Sequence, residues 1–153
     1  MATPDFVLAL REKIGTHPLW LSGVTAVVLR GTDVLLVRRS DTGAWTPVTG
    51  IIDPGEHPAA AAVRETLEEA DIEVSAEALA WVGVTAPVTY DNGDRTQYID
   101  IVFRCRYVSG EPYPADGENT EAAWFPLDAL PEVSDDMRWR IRHAVEATEQ
   151  ARF

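Results

Sequence analysis

Apolar positions along this chain fall in short runs whose spacing switches between the two-residue period of strands and the 3.6-residue period of helices. "VTAVVL" (24–29) and "VLLV" (34–37) are β-branched and aliphatic runs, and the "RGTD" between them predicts a hairpin. "ALAWVGVTAPVTY" (78–90) and "RTQYIDIVFRCRYV" (95–108) predict two more strands around "DNGD", where Asn92-Gly93 signals a tight turn. In the second of these, Ile99, Ile101, Phe103, Cys105 and Tyr107 alternate onto one face. "AAWFPL" (122–127) predicts a short strand. "RRSDTGAWTPVTG" (38–50) reads as a loop ending in a short strand, "IDPGE" (52–56) as a turn, and "SGEPYPADGENTE" (109–121) as a polar loop. Helical spacing appears in residues 4–14, with Phe6, Leu10 and Ile14 four apart, and in residues 134–150, which open with Ser134 as an N-cap. Strands outnumber helices, and their order predicts a mixed α/β layer fold.

The clearest helix is "HPAAAAVRETLEEA" (57–70). Pro58 suits the first helical position, where its missing N–H costs nothing, and the alanines that follow are the best helix formers. At 3.6 residues per turn, Ala59, Ala60, Val63, Leu67 and Ala70 share one side and are expected to dock on the core. Glu65, Glu68 and Glu69 share the other with Ala61 and Ala62, which predicts an open acidic face. Like charges three and four apart destabilise a helix by roughly 0.2–0.5 kcal/mol per pair. A divalent cation gripped by oxygen ligands would turn that repulsion into shared attraction. Taken alone, the pattern also fits a solvated acidic surface, which is the commoner use of such a stripe.

Composition narrows the classes. The 153 residues suggest one domain spanning 1–153, and 46% apolar with 25% charged residues fits a soluble globular protein. The formal net charge of −12 argues against a nucleic acid polymer or an anionic membrane as partner, but not against a small anionic ligand bridged by a cation. Lys13 is the only lysine, so Arg carries nearly all the positive charge. Cys105 is the only cysteine, which rules out an internal disulfide; with no signal-like start, a cytoplasmic location is expected.

The wider window "GIIDPGEHPAAAAVRETLEEADI" (50–72) resembles the Nudix box, with Gly50, Glu56, Arg64, Glu65, Glu68, Glu69 and Ile72 all in register. Thr66 stands where the pattern has an apolar residue, and Asp71 where it has Gly. Asp tolerates the left-handed conformation better than most residues, so a strained helix end is expected there, and the Thr66 hydroxyl is expected to bond back to the helix. The resemblance implies an α/β/α sandwich with a mixed sheet between helices. It implies Mg²⁺-dependent hydrolysis, with Mn²⁺ as a substitute ion, of a nucleoside diphosphate linked to another group. Position by position, it implies Glu65 and Glu69 as metal ligands and Glu68 as ligand to a second ion or through water. The carbonyl of Thr49, just before Gly50, completes the shell. Arg64 and Glu56 form an ion pair that orients the glutamates, although Arg64 can equally serve Glu68 as an ordinary helix pair. The general base is Glu65, Glu68 or Glu118, the last lying six residues before Trp124. "LREKIGTHPLWLSG" resembles an extension of some dimeric bacterial members, which extends the expectation to a homodimer built through residues 1–20.

Arg38, Arg39 and Arg95 are candidate phosphate contacts, and Tyr90 a candidate base-stacking residue. The substrate stays open between nucleoside triphosphates and ADP-ribose-like dinucleotides. The rival reading is a Nudix-like sensor that binds a nucleotide without cleaving it. Isomerase chemistry on a prenyl diphosphate would call for a nearby catalytic cysteine, and Cys105 reads as core.

Overall fold

The computed structural model describes residues 3–147. Among these, the elements run α1 (Asp5–Ile14), β1 (Leu19–Arg30), β2 (Asp33–Arg39), β3 (Trp45–Thr46), β4 (Val48–Ile51), α2 (Pro58–Ala70), β5 (Glu73–Val84), β6 (Val88–Thr89), β7 (Arg95–Ser109), β8 (Asn119–Pro126) and α3 (Asp135–Val145). The Met137 N–H donates to Ser134 Oγ at 3.2 Å, so the expected cap of α3 is in place. Positions 148–150 of the helix expected there lie outside the described residues. No described helix is long and apolar enough to cross a membrane.

The described strands form one mixed sheet of order β3-β2-β1-β7-β5, with β4 added to β1, β6 to β7 and β8 to β2. β1 and β7 run parallel from Leu19↔Thr96 to Leu29↔Arg106, while the other pairings are antiparallel. The other edge of β1 is shared in succession by β4, at Gly23–Ala26, and by β2, at Leu29–Arg30. β1 and β5 begin earlier than their apolar runs, because pairing with β7 extends them through "LWLSG" and "EVSAE".

Alternation along the strands feeds two cores. Val24, Ala26 and Val28 of β1 join Leu35 and Val37 of β2 under Ala61, Ala62 and Ala70 of α2. Val27, Val34, Leu36 and Val102 point the other way, toward Ile141 and Ala144 of α3. The sheet therefore lies between α2 and α3, as the sandwich requires. A buried ion pair ties the second layer down. Arg140 Nη1 of α3 donates to Asp100 Oδ2 of β7 at 2.9 Å and to Thr25 Oγ1 of β1 at 3.0 Å. Thr25 lies opposite Thr49 of β4, so this network anchors the strand against which β4 is registered.

At the end of α2, Asp71 adopts φ 55°, ψ 34°, and its N–H donates to the Leu67 carbonyl. It is the only non-glycine with positive φ among the described residues. Relief of that conformation should make Asp71→Gly more stable by about 0.5–1 kcal/mol, read as a melting temperature raised by roughly 1–4 °C. A variant that melts lower would show that the Asp71 side chain contributes more than its backbone costs.

Candidate active site

β4 delivers Gly50 against the buried face of α2. Glu65 is 0% exposed, and its carboxyl packs so closely on Gly50 that a Cβ there would overlap it. Gly50 is not in a positive-φ conformation, so its role is to leave space. Glu65 Oε1 accepts from Arg64 Nη1 at 2.9 Å, whereas Oε2 is buried with no hydrogen-bond partner. An unpaired buried carboxylate oxygen is costly and calls for an explanation.

Arg64 organises this cluster. Its Nε and Nη2 grip both oxygens of Glu56 at 2.7 and 2.8 Å. Nη1 also donates to Glu68 Oε2 at 3.1 Å, and Nη2 to the Ile51 carbonyl at 3.3 Å. The two roles considered for Arg64 therefore coexist: it pairs with Glu68 one turn on, and it fixes Glu56 and Glu65. The guanidinium holds the Glu56 carboxyl below the usual range, and Glu56 in turn raises Arg64.

One turn beyond Glu65, Glu69 is 6% exposed and accepts from Asn119 Nδ2 at 3.1 Å. The loop before β8 docks on this end of the helix, the Tyr113 N–H bonding the Ala70 carbonyl at 3.0 Å and Ala115 N–H the Glu69 carbonyl at 3.3 Å. Carboxylate oxygens of Glu69, Asp116 and Glu118 thereby come within 4.8 Å of one another. Burial pushes the carboxyl groups of Glu65 and Glu69 up to about 7 each.

The sequence matches the NUDIX domain over residues 20–147. The chain belongs to this family. Among curated proteins, it is 33% identical over 132 residues to the NAD-capped RNA hydrolase NudC of Pseudomonas aeruginosa, covering 85% of this chain and 44% of that protein. It therefore spans less than half the length of that relative. It is also 33% identical over 127 residues to a MutT-like protein of Streptomyces ambofaciens, covering 82% of this chain and 75% of the other. Among solved structures, a MutT NUDIX hydrolase from Burkholderia pseudomallei superposes with TM-score 0.67 at 25% identity over 82% of this chain and 98% of that one. An ADP-ribose pyrophosphatase from Streptococcus suis gives TM-score 0.67 at 20% identity, covering 86% and 96%, which is a likeness of fold. Net charge had argued against a nucleic acid polymer as partner. A relative named for capped RNA removes the force of that argument within this family.

The NUDIX helix corrects the expected orientation of α2. Leu67, expected in the core, is 46% exposed, while Glu65 and Glu69, expected on an open face, are buried with Ala61, Ala62 and Thr66. The helix is rotated by about a third of a turn from the apolar reading. Thr66 bonds back to the Ala62 carbonyl at 2.7 Å, as expected, which lets a hydroxyl sit in the core.

The candidate substrate contacts are divided. Arg39 and Tyr90 lie within electrostatic range of each other, and Glu69 acts on Arg39 as well. Arg39 also makes a bidentate pair with Asp41 at 2.7 and 2.9 Å, and Tyr90 Oη meets Tyr98 Oη at 2.8 Å. Arg38, one residue away and on the opposite side of the strand, pairs with Glu121 at 2.8 Å. Arg95 donates to the Thr16 carbonyl at 3.3 Å. Sequence reasoning missed Asn119 and Asp116. The pairing of β2 with β8 slips between Arg38 and Arg39, so that Asn119 falls opposite Arg39. No local sequence signal marks that irregularity.

The donor set fits a hard divalent cation: clustered carboxylates, a buried oxygen with no partner, and a glycine that a side chain would displace. Beside it, a cleft of about 410 Å³ opens between α1 and the turn before α2, with Phe6, Trp20, Ile52 and Pro58 along its wall and Glu56 at its edge.

Proposed function

We propose that this chain is a divalent-cation-dependent hydrolase that opens the pyrophosphate bond of a nucleoside diphosphate linked to another group. The observation that carries this reading is Glu65, sealed from solvent against Gly50 with one carboxylate oxygen unpartnered. Glu65 and Glu69 would hold Mg²⁺ or Mn²⁺, with Glu68, Glu118 and the Thr49 carbonyl as further donors. Such an ion neutralises charge on phosphate oxygens and acidifies bound water. Arg64 keeps Glu65 and Glu68 apart and aimed, and anchors them to the turn through Glu56. Glu65, Glu68 and Glu118 remain the candidates for receiving the proton of the attacking water. Arg39 supplies positive charge toward a phosphate, and the Phe6–Trp20 cleft would receive a planar base.

Two relatives inform the substrate. The name of NudC points to NAD-type dinucleotides ahead of nucleoside triphosphates, and the MutT-like protein keeps triphosphates in the test. The deciding experiment incubates the protein with NAD, ADP-ribose, a nucleotide sugar, dGTP and 8-oxo-dGTP, with and without Mg²⁺. Chromatographic detection of AMP from NAD or ADP-ribose, only when Mg²⁺ is present, is the expected result. Silence across the panel alongside measurable nucleotide binding would instead favour the sensor. Glu69→Gln should lower the rate at least a hundredfold while circular dichroism and melting remain those of a folded protein. Near-normal turnover by that variant would remove Glu69 from the site.

A further inference from the structure

α1 lies outside the residues that match the NUDIX domain, 20–147, yet it lines the cleft beside the carboxylate cluster. Phe6 of α1 and Trp20 of β1 share that cleft with Ile52, Pro58 and Glu56, and Glu56 is gripped by Arg64. Little apolar packing holds the helix there. Val7 is its only buried residue, whereas Leu8, Leu10 and Ile14 are exposed. Arg11 supplies the attachment instead. Its Nη1 donates to the Gly15 and His17 carbonyls at 3.1 and 2.7 Å, and its Nη2 to the Arg95 carbonyl and Thr96 Oγ1 at 2.8 and 3.1 Å. Nε, buried with no hydrogen-bond partner, lies 3.6 Å from Asp94 Oδ2. One planar fork therefore joins α1, the turn before β1 and the start of β7, a span that the compact charge of a lysine cannot serve in full.

We propose that Arg11 is a positioning residue for the substrate: by fixing α1 on β7, it holds Phe6 in the wall of the cleft that receives the nucleotide base. The inference rests on the nucleotide-recognising half of the reading given above. Arg11 acts through Phe6 and not on the reacting atoms, since its hydrogen-bond partners lie in the turn before β1 and at the start of β7 and none belongs to the carboxylate cluster. Without the fork, α1 keeps one buried side chain as its anchor, and the base must order the helix before it can use the wall. A wall remote from the reacting bond grips ground state and transition state alike, so its loss raises KM and leaves kcat in place.

The test pairs steady-state hydrolysis of ADP-ribose in Mg²⁺ with calorimetric binding of AMP, on the full chain and its variants. Arg11→Met keeps the length of the side chain and removes every donor; Arg11→Lys keeps the charge and part of the hydrogen bonding, and is the second variant should Arg11→Met fail to fold. Arg11→Met is expected to raise KM and weaken AMP binding by about tenfold, with kcat within about twofold of the wild type, and Arg11→Lys to fall between the two. Phe6→Ala should shift KM and AMP affinity alike. The double variant Arg11→Met with Phe6→Ala should bind no more weakly than the weaker single variant, because one residue acts through the other. Unchanged KM and AMP affinity in both Arg11 variants, or additive effects in the double variant, overturns the inference and leaves the hydrolase reading standing. A fall in kcat at unchanged KM overturns it too, as a general structural effect. A wild type that binds AMP and hydrolyses nothing in the substrate panel removes the hydrolase reading, and the AMP affinities then decide the inference. A wild type that neither binds AMP nor turns over ADP-ribose removes the inference, and the other substrates of the panel decide the hydrolase reading.

Discussion

Gly50→Ala should lower turnover by roughly three orders of magnitude and cost about 1–3 kcal/mol of stability. The added methyl would overlap Glu65 Cγ, Cδ and Oε1, and Glu65 has no room to retreat because it is fully buried. Either the helix shifts away from β4 or the carboxyl swings off Arg64 Nη1, and both outcomes move the proposed metal ligand. Backbone conformation is not the obstacle, since residue 50 does not need positive φ. That distinction gives the prediction a second, sharper form. Glu65→Ala deletes the overlapped atoms, so combining it with Gly50→Ala should recover most of the stability lost by Gly50→Ala alone, while activity stays absent. Urea unfolding and turnover of the two single variants and the double variant measure both halves. Independent, additive stability effects would show that Gly50 and Glu65 do not share one space.

The contrast between α2 and its surroundings shows where sequence reasoning reached the fold and where it failed. The ends of the helix were legible because each is set by one residue's local chemistry: Pro58 at the start and Asp71 in the left-handed conformation at the end. The β1–β2 hairpin and the Asn92-Gly93 turn were legible for the same reason. The buried face of the helix was not. Four consecutive alanines at 59–62 have no preferred side, so the choice fell to Val63 and Leu67 against three glutamates. Placing charge outward is normally right, but here Arg64 compensates Glu65 from the next position and the site keeps both buried acids. Local rules are expected to break where function sets the terms. The Nudix-box resemblance named Glu56, Arg64, Glu65 and Glu68, which the fold brings into one hydrogen-bonded cluster, despite that error, because it depends on register and not on which face is apolar. Asp116 and Asn119 had no such support. Asn119 opens β8, where a slipped pairing sets it opposite Arg39, and Asp116 sits in the polar loop that the Tyr113 and Ala115 N–H groups dock on the end of α2. Arg38 and Arg39 were indistinguishable as adjacent arginines until the sheet assigned them opposite sides.

Glu65→Gln is expected to separate stability from activity, with a direction that depends on pH. Burial raises the Glu65 carboxyl to about 7 in the fold, above the ordinary value of 4.5. A group raised in this way favours the folded state most below its unfolded value, and that contribution is lost as pH climbs from about 4.5 through about 7. The metal-free wild type therefore carries a penalty from Glu65 at pH 8 that is much smaller at pH 5. At 1.36 kcal/mol per pH unit, this penalty is on the order of 3 kcal/mol as an upper estimate. Glutamine keeps an acceptor for Arg64 Nη1 and needs no ionisation. In EDTA, Glu65→Gln should thus unfold at higher urea than the wild type at pH 8, with the gap closing toward pH 5. Glu69, raised to about 7 by the same burial, keeps its own slope in the variant, so some loss of stability with pH persists. Turnover should fall roughly a thousandfold at either pH, because a neutral amide is a poor ligand for a hard cation. Adding Mg²⁺ at pH 8 should stabilise the wild type more than Glu65→Gln, since the ion stabilises only the state that binds it. A gap in unfolding midpoint that does not change with pH, or a wild type that is the more stable at pH 8, would mean that the buried oxygen of Glu65 costs the fold nothing. The strongest structural reason for placing a cation beside it would then be gone.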